Sequence, residues 1–326
     1  MKSTQIGPYP RIGSECGDRL RRELNKLYEG DGNAELGQSL MRDLTREVVG
    51  EMVSSGISLP NDGLIDVHDE LTWPLEHVGG VEFGGMKKIF HTNTHYREAI
   101  VNGKVKRRES LLSSLYRIAL ETHPAIKVEF PGPYTMAKHS VLGKNSPYRS
   151  LDELAEAYAG LFREELLNLK EVPLVQFNEP SLIARQERVD TNMIRELYSK
   201  LSSGLNVPVA VWTYYGKYTP EILNMLFSLP VDLVGLDFVW NPELDEQLKN
   251  MSLNKEIGIG LIDSGDQGYI HLEDPGEILE RLKRLQSQVD LSHSFLSSNA
   301  TLEHLPREYA RKKASLIGEV VRRVNR

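Results

Sequence analysis

Glu179, in Phe177-Asn178-Glu179-Pro180, is the sharpest candidate for chemistry in this sequence. It ends a strand-like run, and the proline after it restricts its backbone, so its carboxylate has a set direction. Such an acid suits a ligand that bears an amine. Its plainer roles are to cap the next helix or to pair with Arg185. A second group lies in Trp212-Thr213-Tyr214-Tyr215-Gly216-Lys217, which is aromatic and offers a metal nothing beyond a tyrosine oxygen. Asp237 and Asp263 end two further apolar runs and serve equally well as strand-end caps. His68, His91, His95 and His139 raise the question of a metal. No His-x-His or His-Glu-x-x-His pattern occurs, and the spacing of four between His91 and His95 has no helical meaning in a glycine-rich stretch. The single cysteine, Cys16, excludes an internal disulfide and any multi-thiolate centre within one chain.

These residues must be positioned by an alternation of short apolar runs and helical patterns. Strands are expected at Thr4-Gln5-Ile6, Leu64-Ile65-Asp66-Val67, Ile126 to Phe130, Leu174 to Phe177, Val207 to Val211, Leu233 to Leu236, Ile257 to Ile262 and Phe295 to Ser297. Helical spacing follows nearly all of them, as in Leu151 to Leu169, where Leu154, Ala155, Tyr158, Leu161, Phe162 and Leu166 share a side and Ser150 or Asp152 is placed to cap. The count predicts an α/β fold, a single (β/α)8 TIM barrel over residues 1–326, with a long excursion from Leu71 to Gly103 after the second strand. An open doubly wound sheet is the alternative. No Gly-x-Gly-x-x-Gly turn, phosphate-loop motif or linker-like composition break supports it. In a barrel, residues just past each strand end converge on one mouth. That brings together Pro8 and Tyr9, His68 and Glu70, Pro133 to His139, Asn178 and Glu179, Trp212 to Tyr215, Asp237, Asp263, and Ser298 to Thr301, a set suited to a small polar ligand with an amine and a flat ring.

Composition narrows the function. The 326 residues are 40% hydrophobic and 26% charged, with 39 Lys+Arg against 46 Asp+Glu and a formal charge of −7. A chain this acidic is not built mainly to hold nucleic acid, and the basic run Lys104 to Arg108 reads as a solvated face. The start at Met1 lacks an apolar signal core and no run approaches membrane-spanning length, so a cytoplasmic protein without membrane contact is expected.

Six motifs in order give a more specific reading: Ile6-Gly7-Pro8-Tyr9-Pro10-Arg11, Val67-His68-Asp69-Glu70, Phe130-Pro131-Gly132-Pro133-Tyr134-Thr135, Val175 to Pro180, Gly260-Leu261-Ile262-Asp263, and Leu305-Pro306 with Ala310, Lys312 and Lys313. Together they resemble the cobalamin-independent methionine synthases, matching one barrel of that family along the whole chain. The opening also resembles the amino-terminal barrel of its two-barrel members. The resemblance implies methyl transfer from a methyltetrahydrofolate to homocysteine, with zinc holding the acceptor thiol as thiolate. It also implies that the family's zinc ligands, a histidine, two cysteines and a glutamate, correspond here to Trp212, Tyr214, Ala300 and Asp237. Further departures are Pro8 for a serine, Asn178 for an aspartate that helps hold the substrate amine, and His139 for a ring-stacking tryptophan; the family glutamate persists as Glu70.

From these departures the chain is expected to bind no cofactor and no metal itself, with methyltetrahydrofolate a possible substrate. Zinc is expected only in a partner, a zinc-bearing methionine synthase paralogue. Glu70, His139, Asn178, Glu179, Trp212, Tyr214 and Asp237 are the substrate-binding candidates. One alternative is a self-sufficient methyltransferase that activates its acceptor without zinc or takes its methyl group from a corrinoid protein. Another is a decarboxylase-like barrel related to uroporphyrinogen decarboxylase.

Overall fold

The apolar runs become the staves of a parallel barrel in a computed structural model of the chain, which describes residues 1–92, 94–184, 189–265, 268 and 270–326, with Asn250 described by its backbone alone. In order, β1 (Lys2–Ser3) leads to α1 (Glu15–Glu29) and α2 (Ala34–Ser54). The excursion holds β2 (Val78–Lys88) and β3 (His95–Arg107), followed by α3 (Tyr116–Thr122), β4 (Val128–Pro131), α4 (Pro133–Lys138), β5 (Ser140–Leu142) and α5 (Leu151–Leu166). Regular alternation then runs through β6 (Val175–Asn178), α6 (Thr191–Ser202), β7 (Val209–Trp212), α7 (Pro220–Ser228), β8 (Leu233–Asp237), α8 (Leu244–Gln247), β9 (Glu256–Ile262), α9 (Pro275–Leu285), β10 (Ser294–Ser298) and α10 (Arg307–Val324). Local chemistry fixes the boundaries. Ser150 caps α5 by accepting from the Glu153 amide, while Thr219 accepts from the Ile222 amide ahead of Pro220 at the start of α7.

Seven strands form one parallel sheet in the order β1-β10-β9-β8-β7-β6-β4. The ring is closed by residues 58–61. Leu59 N–H donates to Ser3 O at 3.0 Å and Thr4 bridges Leu59 in parallel, while Lys127 N–H donates to Pro60 O at 2.9 Å. The second stave is therefore not the expected Leu64 to Val67, which is turn. The reason is local: Asn61 Oδ1 accepts from the Gly63 amide and Asp62 Oδ1 from the Leu64 amide, and Gly63 and Leu64 take φ of 81° and 48°. The excursion is an antiparallel β2–β3 hairpin, to which β5 adds in parallel. No helix among the described residues is long and apolar enough to cross a membrane.

Two apolar layers follow from the strand alternation. The outer layer packs sheet against helices and contains the α5 residues Leu154, Ala155, Tyr158, Leu161, Phe162 and Leu166. Each large apolar side chain buried there contributes roughly 1.5–3 kcal/mol. The inner layer runs along the barrel axis through Ile6, Ala210, Trp212, Leu233 and Phe295, and reaches the hairpin through Ile89 and Tyr96. Trp212 is its largest member, and the neighbouring strands make room for it. In register beside it stand Gly235 and then Gly258, where an added Cβ would lie 1.9 Å from Trp212 Cδ2 and 2.1 Å from Trp212 Cη2.

Candidate active site at the barrel mouth

Beneath the mouth the barrel interior is polar. On β4 and just before it, Lys127 and Glu129 point inward, both fully buried. Lys127 Nζ donates to Gln5 O at 2.5 Å and Gln176 Oε1 at 2.6 Å, and lies 3.2 Å from Glu129 Oε2. Burial lowers its pKa against the pull of Glu129. Glu129 Oε1 also accepts from the Gly7 amide at 2.5 Å and from Asn178 Nδ2 at 2.7 Å, and Oε2 from Asn61 Nδ2 at 3.0 Å. Gly7 needs to be glycine: its φ is 68° and a Cβ would sit 2.7 Å from Thr301 Cβ. Asn178 is thus part of a satisfied network, its Oδ1 accepting from Gln176 Nε2 at 2.8 Å.

Two of the expected acids are engaged by backbone. Glu179 accepts from the Tyr134 and Thr135 amides at 3.0 and 2.7 Å, from Thr135 Oγ1 at 2.6 Å and from Tyr198 Oη at 3.0 Å. It therefore caps the first turn of α4. Gly132 leaves the space, since a Cβ there would lie 2.0 Å from Glu179 Cδ. Burial pushes the Glu179 pKa to about 7 against these hydrogen bonds. Arg185, its other possible partner, lies outside the described residues. Asp237 Oδ1 accepts from the Val239 and Trp240 amides at 3.0 and 2.9 Å, and Oδ2 from Asn299 Nδ2 at 3.3 Å, closing the turn after β8.

The mouth itself brings Glu70 and Tyr214 together with Tyr215 and His304. Tyr215 Oη donates to Glu70 Oε1 at 3.4 Å and lies 3.1 Å from His304 Nε2. Glu70 and Tyr214 interact with each other through their side chains, and apart from that pairing neither Glu70 Oε2 nor Tyr214 Oη has a hydrogen-bond partner, nor does Trp212 Nε1 deeper in. Burial raises the Glu70 pKa to about 8, with the charges of Glu303 and Asp69 adding to it. Burial also raises the Tyr214 phenol, helped by Glu70 and Glu129, and lowers His304 to about 4. At neutral pH this is a mouth with a protonated acid, a neutral imidazole and two phenols. His139, half-buried, faces the same opening: its Nε2 is 3.2 Å from Ser181 Oγ, and Phe90 and Tyr96 meet its ring edge-on at 5.2 and 4.9 Å.

Zinc does not fit the four positions that the resemblance matches to the family's ligands. Trp212 and Ala300 offer no ligand atom, both Asp237 oxygens are committed, and only the Tyr214 phenol is left. No group of three or more His, Cys, Asp or Glu able to hold a metal occurs among the described residues. His68 is exposed and pairs with Glu76 at 3.5 Å, while His91 stacks on Trp240 at 5.9 Å. The sequence reading missed Lys127, Glu129, Phe90 and His304. Polar residues at 127 and 129 alternate with apolar ones and so share a strand face, the one available signal for the first two.

Comparison with known proteins identifies the family. A family model described as the cobalamin-independent synthase N-terminal domain matches residues 81–290. Over 319 residues, 96% of this chain and 89% of the relative, the sequence is 26% identical to a methionine synthase of Sulfolobus acidocaldarius and 27% to one of Sulfurisphaera tokodaii. The fold matches a B12-independent methionine synthase of Shewanella sp. W3-18-1, solved in complex with selenomethionine, at a TM-score of 0.76 and 20% identity, covering 99% of this chain and 98% of that one.

Proposed function

The chain belongs to the cobalamin-independent synthase family, and from that premise we propose that it is a zinc-less barrel of methionine synthesis, acting with a zinc-bearing paralogue. In this reading it serves methyl transfer from a methyltetrahydrofolate to homocysteine by holding a ligand, the folate first among the possibilities, while the partner activates the thiol. One observation carries the reading: at the four positions that correspond to the family's zinc ligands stand Trp212, Tyr214, Asp237 and Ala300, with the Trp212 indole filling the barrel axis against Gly235 and Gly258.

The chain's own residues would then bind and orient. Beyond their pairing with each other, Glu70 and Tyr214 offer hydrogen-bonding capacity to a small polar group, and Tyr215 fixes the other Glu70 oxygen. An ammonium arriving beside Glu70 would draw the proton off an acid that is neutral at pH 7, so binding would release a proton and weaken as pH falls. His139, between Phe90 and Tyr96, offers a ring face to a flat heterocycle. The buried Glu70 and Tyr214 side chains, brought together at the mouth, also favour a second reading, a self-sufficient methyltransferase with another means of activation or another donor, such as a corrinoid protein.

Elemental analysis of the purified chain, with methyl transfer to homocysteine assayed alone and after mixing with a zinc-bearing methionine synthase, separates the two. The first reading expects no stoichiometric zinc and activity that depends on the mixture. Turnover of a corrinoid or folate donor by the chain alone would establish the second. Stoichiometric zinc with activity from the chain alone would refute the correspondence of ligand positions.

A further inference from the structure

The β2 strand is an edge of the three-stranded sheet, and among the described residues its backbone from Glu82 to Lys88 pairs with β3 alone. It is 11 residues long, and Glu82, Gly84, Gly85, Met86, Lys87 and Lys88 are all exposed. A long open edge invites a further strand, and proteins ordinarily blunt it with lysines, a bulge or a covering segment. Here the lysines and a bulge are present, in an arrangement that fits a second copy of the same strand.

The bulge sets the pattern. Phe83 stands opposite Ala99 and Met86 opposite Arg97, so Gly84 and Gly85 together face Glu98. In a regular strand, residues five apart lie on opposite faces. The extra residue returns Lys87, opposite Tyr96, to the face of Glu82, opposite Ile100. On that face Glu82 Oε2 accepts from Asn102 Nδ2 at 3.0 Å, and Lys87 Nζ lies 3.6 Å from Glu98 Oε1. Phe83 and Met86 share the other face. Glu82-Phe83-Gly84-Gly85-Met86-Lys87 therefore reads from either end as charged, apolar, glycine, with an acid at one end and a base at the other. Two such strands laid antiparallel about a two-fold axis between Gly84 and Gly85 set each Glu82 against the other copy's Lys87, and each Phe83 against the other copy's Met86. Within one chain nothing calls for glycine at 85, since its φ is not positive and an added Cβ would meet no atom within 4 Å. A second backbone drawing close across the axis does call for it. Met86, 61% exposed, gains cover in the same pairing.

We propose that the β2 edge is a self-association surface, through which two copies of this chain join their β2–β3–β5 sheets into one. A contact of this length buries less than the roughly 1,200 Å² of a stable interface, so the dimer is weak and forms at high-micromolar concentration. The charges at 82 and 87 set its register. The proposal rests on sheet geometry and charge, and it stands or falls apart from the methionine-synthesis reading.

Sedimentation equilibrium of the full chain over a range of concentrations tests it. The parent should approach a dimer at the upper end. Glu82→Lys places a second base against Lys87 at both contacts, and Lys87→Glu a second acid against Glu82; each should weaken association by about tenfold or more. Mixed together, the two reversed chains are complementary at both contacts, so the mixture should recover the parent's association. Both positions are exposed, so each variant should match the parent in urea titration. In a Cys16→Ser background, a Glu82→Cys chain mixed with a Lys87→Cys chain should form the mixed disulfide ahead of either homodisulfide, which reads the register directly. A parent that stays monomeric throughout would overturn the proposal. So would association that neither reversal changes, reversed chains that fail to recover on mixing, or an edge that pairs with a zinc-bearing methionine synthase in place of a second copy.

Discussion

Gly258 offers the most direct check on the claim that the Trp212 indole closes the barrel axis. A Cβ added there would lie 2.1 Å from Cη2, 2.4 Å from Cζ2 and 2.7 Å from Cζ3 of Trp212, all far inside contact distance. The indole is fully buried, Lys127 Nζ lies 5.8 Å from its ring centroid, and the six-membered ring that must move is rigid. Overpacking a filled core costs about 1–3 kcal/mol, and this geometry puts Gly258→Ala near the upper end, at about 3 kcal/mol. Trp212→Phe alone leaves a cavity and should cost about 1–2 kcal/mol. The double variant has the methyl where the lost ring was, so it should cost no more than Trp212→Phe by itself, a coupling of about 3 kcal/mol. Urea titration at equilibrium reads the three values. In thermal melts the Gly258→Ala loss should be roughly 4–5 °C, given an unfolding entropy of about 2.1 cal/mol/K per residue. If Gly258→Ala falls within about 0.5 kcal/mol of the parent, or the double variant is additive, the indole does not fill the axis as described.

Other perturbations test the mouth and its supports. Glu70 has a folded pKa of about 8 against an ordinary 4.5, so the stability it contributes is fully present below about pH 4.5 and is lost as pH rises through 8. Glu70→Gln should therefore gain on the parent across that window, by no more than about 5 kcal/mol, and level off above it; a difference that stays flat with pH refutes the shift. Asp237→Ala removes the acceptor for two turn amides and should cost about 1–2 kcal/mol in urea titration, with Asp237→Asn recovering part; equal losses for the two would argue against the cap. Arg307 is 3% exposed and reaches Glu47 at 2.8 Å and Glu51 at 3.2 Å. Arg307→Ala should cost about 3 kcal/mol by stranding Glu51, and a loss below about 1 kcal/mol would show the pair to be solvent-like.

Much of the fold was legible because periodicity reports which side of an element is buried. The six later strands fall within two or three residues of their apolar runs, and Ser150 caps α5 as its position before an amphipathic stretch implied. The second stave was misplaced because Leu64-Ile65-Asp66-Val67 is the more apolar run. Ser58 to Asn61 becomes a stave through its neighbours Ser3, Thr4 and Lys127, all far away in sequence. Glu179 was legible as a fixed acid, yet what it is fixed to, the first turn of α4, comes from the previous barrel unit.

By itself, then, the sequence determined the alternation of strand and helix and the family motifs, since each is a property of residue type and spacing. Tertiary structure alone decided which face of each strand looks inward. Alternation puts Lys127 beside Glu129 but does not say that their face is the barrel interior, where Asn61, Gln176 and Asn178 satisfy them. Nor does it say that Gly235 and Gly258 face Trp212, or that Phe90 crosses from the hairpin to His139 and Tyr215. Such contacts join segments tens to hundreds of residues apart, and only closure of the ring brings them within reach.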